Sequence, residues 1–122
     1  MRLVTLGVGA QSSPHYAPAG LLVCHQGARI MLDGGPGAAP AGALDAWLVC
    51  DAQSELKAEL RRLAQARCLE IAVHRFARGD LAITPRVVQH TSHRTFGYLL
   101  RTSAVKVVWA PEFLVFPRCQ RR

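Results

Sequence analysis

The sequence lacks a long apolar run, an internal repeat and a low-complexity segment. No apolar stretch approaches the roughly 20 residues that a membrane-spanning helix needs, so we expect no contact with a membrane. The apolar residues 3–10 follow Arg2, but they are few and lead to no convincing cleavage site, so we expect no signal peptide. Nothing in the composition marks a secreted protein, and we predict a cytoplasmic location.

Closely spaced cysteines are also missing. The four cysteines lie far apart in the sequence: Cys24, Cys50, Cys68 and Cys119. The absence of a CxxC pair disfavours a zinc ribbon, and nothing indicates the oxidising compartment that a disulfide framework needs. We therefore interpret all four as free thiols. Cys50 stands just before a predicted helix, where it is either a nucleophile paired with His90 or an inert packing residue.

Acidic residues are scarce, with eight Asp and Glu against fifteen Lys and Arg and a net charge of +7. Residues 61–122 hold twelve of the basic and three of the acidic residues. A basic surface favours anionic partners such as nucleic acid or phosphorylated metabolites, although solvated arginines on strands and loops explain the same count. No basic run exceeds two residues and no aromatic residues alternate with them, unlike in a single-strand binder.

The 122 residues, half of them hydrophobic, suit one globular domain. One helix is predicted, because Leu56, Leu60 and Leu63–Ala64 recur with helical periodicity. Asp51 or Ser54 is its expected N-cap. The predicted strands are 2–8, 21–25, 29–32, 46–50, 69–75, 80–83, 85–90, 96–101 and 105–110, with a hairpin turn at residues 26–27 and a break at residues 84–85. This order predicts the α+β class, a mixed β-sheet with one main helix on a face.

Several polar residues stand at predicted strand ends. Asp33 either orients a metal ligand or forms a turn by bonding backbone amides. His90 and His93 follow a strand, where a histidine is either a metal ligand, a general base or an ordinary loop residue. Glu112 lies at an otherwise apolar strand end, and either a metal neutralises it or it points to solvent.

The order of these segments resembles the metallo-β-lactamase superfamily, in particular its ribonuclease Z-like and phosphodiesterase-like branch. The opening Leu-Val-Thr-Leu-Gly-Val-Gly is similar to that branch's first strand and glycine loop, and Met-Leu-Asp-Gly-Gly at 31–35 to the end of its third strand. The strand 44–51 resembles the one that enters the His-x-His-x-Asp-His metal motif. His90-Thr-Ser-His-Arg-Thr-Phe-Gly-Tyr and Val107-Val-Trp-Ala-Pro-Glu are similar to two later motifs. The resemblance covers residues 1 to about 117.

The resemblance implies a role for each matching position. Asp51 and Gln53 stand at the first two motif histidines, Glu55 at the motif aspartate and Leu56 at the last histidine. His90 matches a metal-binding histidine and Glu112 stands at the bridging aspartate, while the final histidine would follow beyond residue 122. The implied site is therefore Glu55 as the catalytic residue, Asp51, Gln53, His90 and Glu112 as metal ligands, and Asp33 and His93 as supporting residues.

The departures from the motif decide the predicted activity. Oxygen donors suit magnesium, manganese or calcium better than zinc, so we expect no metal or a weakly bound divalent ion such as Mn, Mg or Zn. The family fold is a four-layer αββα sandwich, of which residues 1–117 supply about half, with a basic tail at 118–122. We expect a homodimer or a missing second half to cover the exposed face.

These departures predict a degenerate relative without efficient hydrolase activity. The alternatives are a divergent metal-dependent hydrolase, similar to a phosphodiesterase or nuclease and acting on an anionic substrate, and a basic nucleic-acid-binding module.

Overall fold

The computed structural model describes residues 1–9, 15–89 and 94–111. These residues form nine strands and one helix. In chain order they are β1 (Arg2–Gly7), β2 (Gly20–His25), β3 (Ala28–Asp33), β4 (Ala46–Leu48), α1 (Lys57–Gln65), β5 (Ile71–Ala72), β6 (Phe76–Arg78), β7 (Leu81–Gln89), β8 (Arg94–Arg101) and β9 (Lys106–Trp109). The α+β class with one main helix is confirmed. The strands divide into a five-stranded and a four-stranded sheet. The first belongs to a compact unit, Met1–Ala72, and the second to another, Val73–Arg122.

The first unit is built on the sheet β1-β2-β3-β4-β5. Its first three strands are antiparallel, and β4 and β5 run parallel to β3. Gln26 and Gly27 turn the predicted hairpin between β2 and β3 with φ values of 48° and 84°. Two successive positive φ values match the right-handed twist of a hairpin, which explains why the apolar runs on either side pair in register.

The core of this unit lies in the central strands. Val23 in β2 and Ile30, Met31 and Leu32 in β3 are completely buried, and Trp47 in β4 is 1% exposed. Continuous apolar runs of this kind occur where both faces of a sheet are covered. The sheet therefore gives a fixed support to the chain segments that follow β3 and β4.

Helix α1 connects the parallel strands β4 and β5. Leu60 and Ala64 are buried, so the predicted apolar stripe faces the core. The predicted N-cap is wrong: Leu56 occupies the cap position without a side-chain cap bond. The backbone carbonyl of Ser54, not its hydroxyl, accepts from the Lys57 amide at 3.1 Å. The helix thus begins by a backbone turn, which leaves no sequence signature. In the described part of the chain, no helix is long and apolar enough to span a bilayer.

The second unit carries the antiparallel sheet β6-β7-β8-β9. The predicted break at residues 84–85 is wrong, because Pro85 lies inside β7 opposite Tyr98. Strand β6 pairs with β7 only from Leu81 to Ile83. Beyond that point, no described strand covers this edge of β7, and an open edge tolerates a residue without an N–H.

The chain between α1 and β7 differs from the sequence prediction. The single strand predicted at 69–75 is replaced by the short strands β5 and β6, with residues 73–75 between them. The turn between β6 and β7 is tied to the turn between β8 and β9, since Asp80 Oδ2 accepts from the Ser103 amide at 3.0 Å and its hydroxyl at 2.8 Å. This pair of bonds holds one end of the second sheet together.

Candidate functional site

Four of the seven predicted site residues lie in the first unit. Asp33 ends β3, and Asp51, Gln53 and Glu55 lie in the loop 49–56 between β4 and α1. This loop follows the carboxyl end of a parallel strand, where open α/β sheets bind their ligands. The other three predicted residues, His90, His93 and Glu112, lie outside the described residues, as does the proposed Cys50–His90 pair.

Asp33 joins the ends of β3 and β4. Its Oδ1 accepts from the backbone amide of Cys50 at 2.8 Å, and its carbonyl accepts from Trp47 Nε1 at 2.8 Å. The β3–β4 ladder stops at Leu32 and Leu48, so the carboxylate extends the connection past the last ladder bond. Asp33 has a φ of 58°, in the left-handed region that aspartate tolerates better than most residues. The bond to a backbone amide is the one that the turn-forming interpretation of Asp33 predicts.

The start of the loop is folded by Asp51. Its Oδ1 accepts from the Gln53 amide at 2.8 Å, an Asx turn that directs the chain toward α1. Asp51 is half-buried, whereas Gln53 and Glu55 are exposed. The loop therefore presents amide and carboxylate oxygens to solvent from a locally ordered backbone.

Leu56, at the last motif histidine, is half-buried and lies against the glycine loop after β3. A Cβ added at Gly35 would come within 3.1 Å of Leu56 Cδ1. Gly35 has a φ of 153°, which adds backbone strain to any side chain placed there. The leucine thus fills space between two loops, a role that needs an apolar group.

The side chains of the loop 49–56 offer few donors to a metal ion. Among the residues that the structure describes, no group of three or more His, Cys, Asp and Glu side chains could hold one. Asp51 and Glu55 offer carboxylates and Gln53 an amide, but Leu56 offers no donor. The described residues therefore do not by themselves fit the metal centre that the fold family implies.

Two arginines hold the loop between β3 and β4, residues 34–45. Arg29 donates to the carbonyls of Ala43 at 2.6 Å and Ala41 at 2.8 Å. Arg67, just past α1, donates to the carbonyl of Pro40 and lies over the Trp47 ring, 5.5 Å from its centroid. Their partners are backbone carbonyls and a ring, so the sequence carried no signal for either contact.

A groove of about 540 Å³ opens beside the loop 49–56. The α1–β5 groove, as we call it, is lined by Val49, Ala52, Gln53, Lys57, Arg61, Gln65, Glu70 and Ile71. Sequence reasoning missed all of these except Gln53. The available signal was the recurrence of long polar side chains every fourth residue from 53 to 65, which places them on one side of a helix.

The cysteine thiols are a further class of reactive group in this chain. Cys24, Cys50 and Cys68 form no disulfide among the described residues, while Cys119 lies outside them. Cys50 is buried at the end of β4, 1% exposed. A thiol in that position is inaccessible to a substrate in solution.

No family model matches the sequence, and no curated protein is significantly similar to it. Among solved structures, the chain is similar to the metallo-beta-lactamase fold protein YhfI from Bacillus subtilis, with a TM-score of 0.64 at 15% sequence identity. The likeness covers 87% of this chain and 59% of that chain, so the protein spans less than two thirds of YhfI. The comparison confirms the predicted resemblance: the chain has the metallo-β-lactamase fold. At this identity it concerns the fold alone.

Proposed function

We propose that the protein is a metallo-β-lactamase-fold protein without efficient hydrolase activity, in which the loop after β4 serves structure and binding. The observation that supports this best is the place of Leu56. It stands where the resemblance puts the last motif histidine, and it packs against Gly35. An apolar side chain used in this way supplies no donor to an ion.

Metal-assisted hydrolysis needs an ion that activates a bound water, held by enough ligands and with one open position. Zinc sites use nitrogen and sulfur donors in tetrahedral array. The loop offers the oxygens of Asp51, Gln53 and Glu55, and Asp51 already uses one oxygen to fold the loop. A set of this kind favours weak binding of a hard ion over a working zinc centre.

One observation favours the alternative, a divergent hydrolase for an anionic substrate. Asp51, Gln53 and Glu55 lie together after the carboxyl end of β4, where ligands bind in sheets of this kind. His90 and Glu112, or a second subunit, would then complete the site. The homodimer, the cytoplasmic location and nucleic-acid binding by the basic second half also remain predictions.

Metal content and cleavage of a diester separate the two proposals. After equilibration with saturating Mn²⁺ or Zn²⁺ and desalting, we expect less than stoichiometric metal by plasma mass spectrometry. We also expect no chelator-sensitive cleavage of bis(p-nitrophenyl) phosphate above the buffer rate. His90→Ala should change neither result.

The control variant is His74→Ala, which removes a histidine that is exposed and bonded to a neighbouring carbonyl. One equivalent of metal that His90→Ala loses and His74→Ala keeps, together with chelator-sensitive cleavage, would establish the hydrolase and end the proposal of an inactive protein.

A further inference from the structure

We infer that the α1–β5 groove binds a small organic phosphate, a phosphate monoester of a hydroxylated ring such as a sugar phosphate or nucleoside monophosphate. The inference rests on the lining of the groove and not on the state of the metal motif, although Gln53 belongs to both. The lining residues that the structure describes all belong to the first unit.

The helix wall of the groove carries hydrogen-bond donors at regular intervals. Lys57, Arg61 and Gln65 are four residues apart, so successive side chains on this wall start about 6 Å from one another. Gln53 continues the same spacing before the helix begins. The wall thus offers an ammonium and a guanidinium between two amides.

In the part of the chain that the structure describes, no ion pair involves Lys57 or Arg61. The neighbouring Arg62 differs, since it pairs with Glu59 across 3.8 Å on another side of the helix. Lys57 and Arg61 thus form no ion pair with another described residue, and both line the groove.

The rest of the lining selects among anions. Ile71 is half-buried and gives a small apolar surface against which a ring can rest, next to the buried Val49. Glu70 adds one carboxylate to a groove that otherwise carries two cations. It repels a second anionic group and accepts from a hydroxyl or amino group. The groove consequently favours a ligand with one phosphate and neutral donors over a polyanion such as a nucleic-acid strand.

Size and chemistry agree with this ligand class. A volume of about 540 Å³ lies within the range of roughly 300–1,000 Å³ typical of small-molecule sites. An arginine and a lysine one helical turn apart can both reach one phosphate group, and the planar guanidinium can donate two parallel bonds to it.

Isothermal titration calorimetry with adenosine 5′-monophosphate as the probe tests the inference, with EDTA present to exclude a metal bridge. We expect saturable binding, at least about tenfold weaker binding of adenosine, and weakening by added salt. Arg61→Ala should weaken binding at least about tenfold, because a bond to a charged group is lost. Arg62→Ala removes the same charge from the adjacent position and should change the affinity less than about twofold.

A Glu70→Gln variant gives a second measurement that does not depend on an alanine scan. It should bind inorganic phosphate more tightly than the unmodified protein, because a like charge has been removed. Circular dichroism confirms that each variant is folded.

The inference is overturned by the absence of binding at millimolar probe, by binding that EDTA abolishes, by equal losses in Arg61→Ala and Arg62→Ala, or by adenosine that binds as well as its monophosphate. None of these results bears on whether the protein hydrolyses diesters, which the metal assay decides separately.

Discussion

Asp33 combines a side-chain hydrogen bond with a left-handed backbone conformation, and substitutions can separate the two effects. Its Oδ1 accepts from the Cys50 amide at 2.8 Å, and its backbone has a φ of 58°. Cys50 is 1% exposed, so its amide cannot turn to water when the carboxylate is removed. Replacement by asparagine keeps an acceptor and a residue suited to this φ. Glycine removes the acceptor but adopts this φ without strain. Alanine removes the acceptor and is also strained at this φ.

The expected losses follow from these differences. An unsatisfied buried amide costs about 1–3 kcal/mol. The left-handed conformation costs an alanine roughly 1–2 kcal/mol, part of which aspartate also bears. We therefore expect Asp33→Ala to lower the free energy of unfolding by about 2–4 kcal/mol and Asp33→Gly by about 1–2 kcal/mol. Asp33→Asn should lose less than about 1 kcal/mol.

Urea unfolding followed by tryptophan fluorescence measures these losses where they arise. Trp47 is buried and donates from Nε1 to the Asp33 carbonyl at 2.8 Å, so its emission reports on this part of the sheet. The second tryptophan, Trp109, lies in the other unit and is replaced by phenylalanine in all variants. This background is needed because two compact units need not unfold in one transition.

The order of the three losses separates the contribution of the Cys50 bond from that of the backbone conformation. Equal losses for Asp33→Ala and Asp33→Asn would show that the Cys50 bond contributes nothing. A glycine variant as unstable as the alanine variant would show that backbone strain at residue 33 is negligible. A change in the dependence on urea concentration would point to the unfolded state instead of to either contact.

Two more substitutions, each with a control substitution, are measured by the same unfolding assay and test how the loops of the first unit are held. Arg67→Ala removes a guanidinium that bonds two backbone carbonyls and lies over Trp47, and should cost about 2–3 kcal/mol. Arg62→Ala on the same helix should cost less than about 0.5 kcal/mol, and similar losses would contradict the assignment. Gly34→Ala places a Cβ 2.4 Å from a carbonyl oxygen and should cost more than about 3 kcal/mol or prevent folding. Gly27→Ala has a similar φ but meets nothing within 4 Å, so it should cost about 1–2 kcal/mol, and equal losses would refute the steric explanation.

The elements that the sequence predicted well are those set by local patterns. The apolar runs around Gln26 and Gly27 required a hairpin, and the structure has it. The spacing of Leu60 and Ala64 predicted the buried side of α1. Each of these features depends on residues within one or two turns of chain, so a single sequence contains the information.

The elements that the sequence missed depend on distant partners. Pro85 marks a break in most strands, but an edge left open by the short strand β6 accepts it. Arg29 and Arg67 hold the loop 34–45 through carbonyls, which every residue carries. The α1–β5 groove needs the start of β5 beside the helix, and that pairing cannot be read from residue spacing.

The candidate site also has a part that local sequence predicted and a part that depends on distant contacts. The resemblance located the loop after β4, and the structure describes Asp51, Gln53 and Glu55 there. The resemblance carried no information about the replacements for the lost donors. The start of that loop is fixed by Asp33 and by the turn at Asp51, two contacts that involve no ion.

The start of the loop is anchored without the side chains of Gln53, Glu55 and Leu56, which removes one physical reason to retain metal ligands at those three positions. The same anchoring makes a different use of the surface feasible. Because the backbone beside Gln53 is already ordered, a ligand in the α1–β5 groove needs to order only the exposed side chains of the helix wall. Binding there should therefore tolerate changes at Asp51 and Glu55, which do not line the groove, far better than changes at Lys57 and Arg61. A metal centre at the motif would require the opposite.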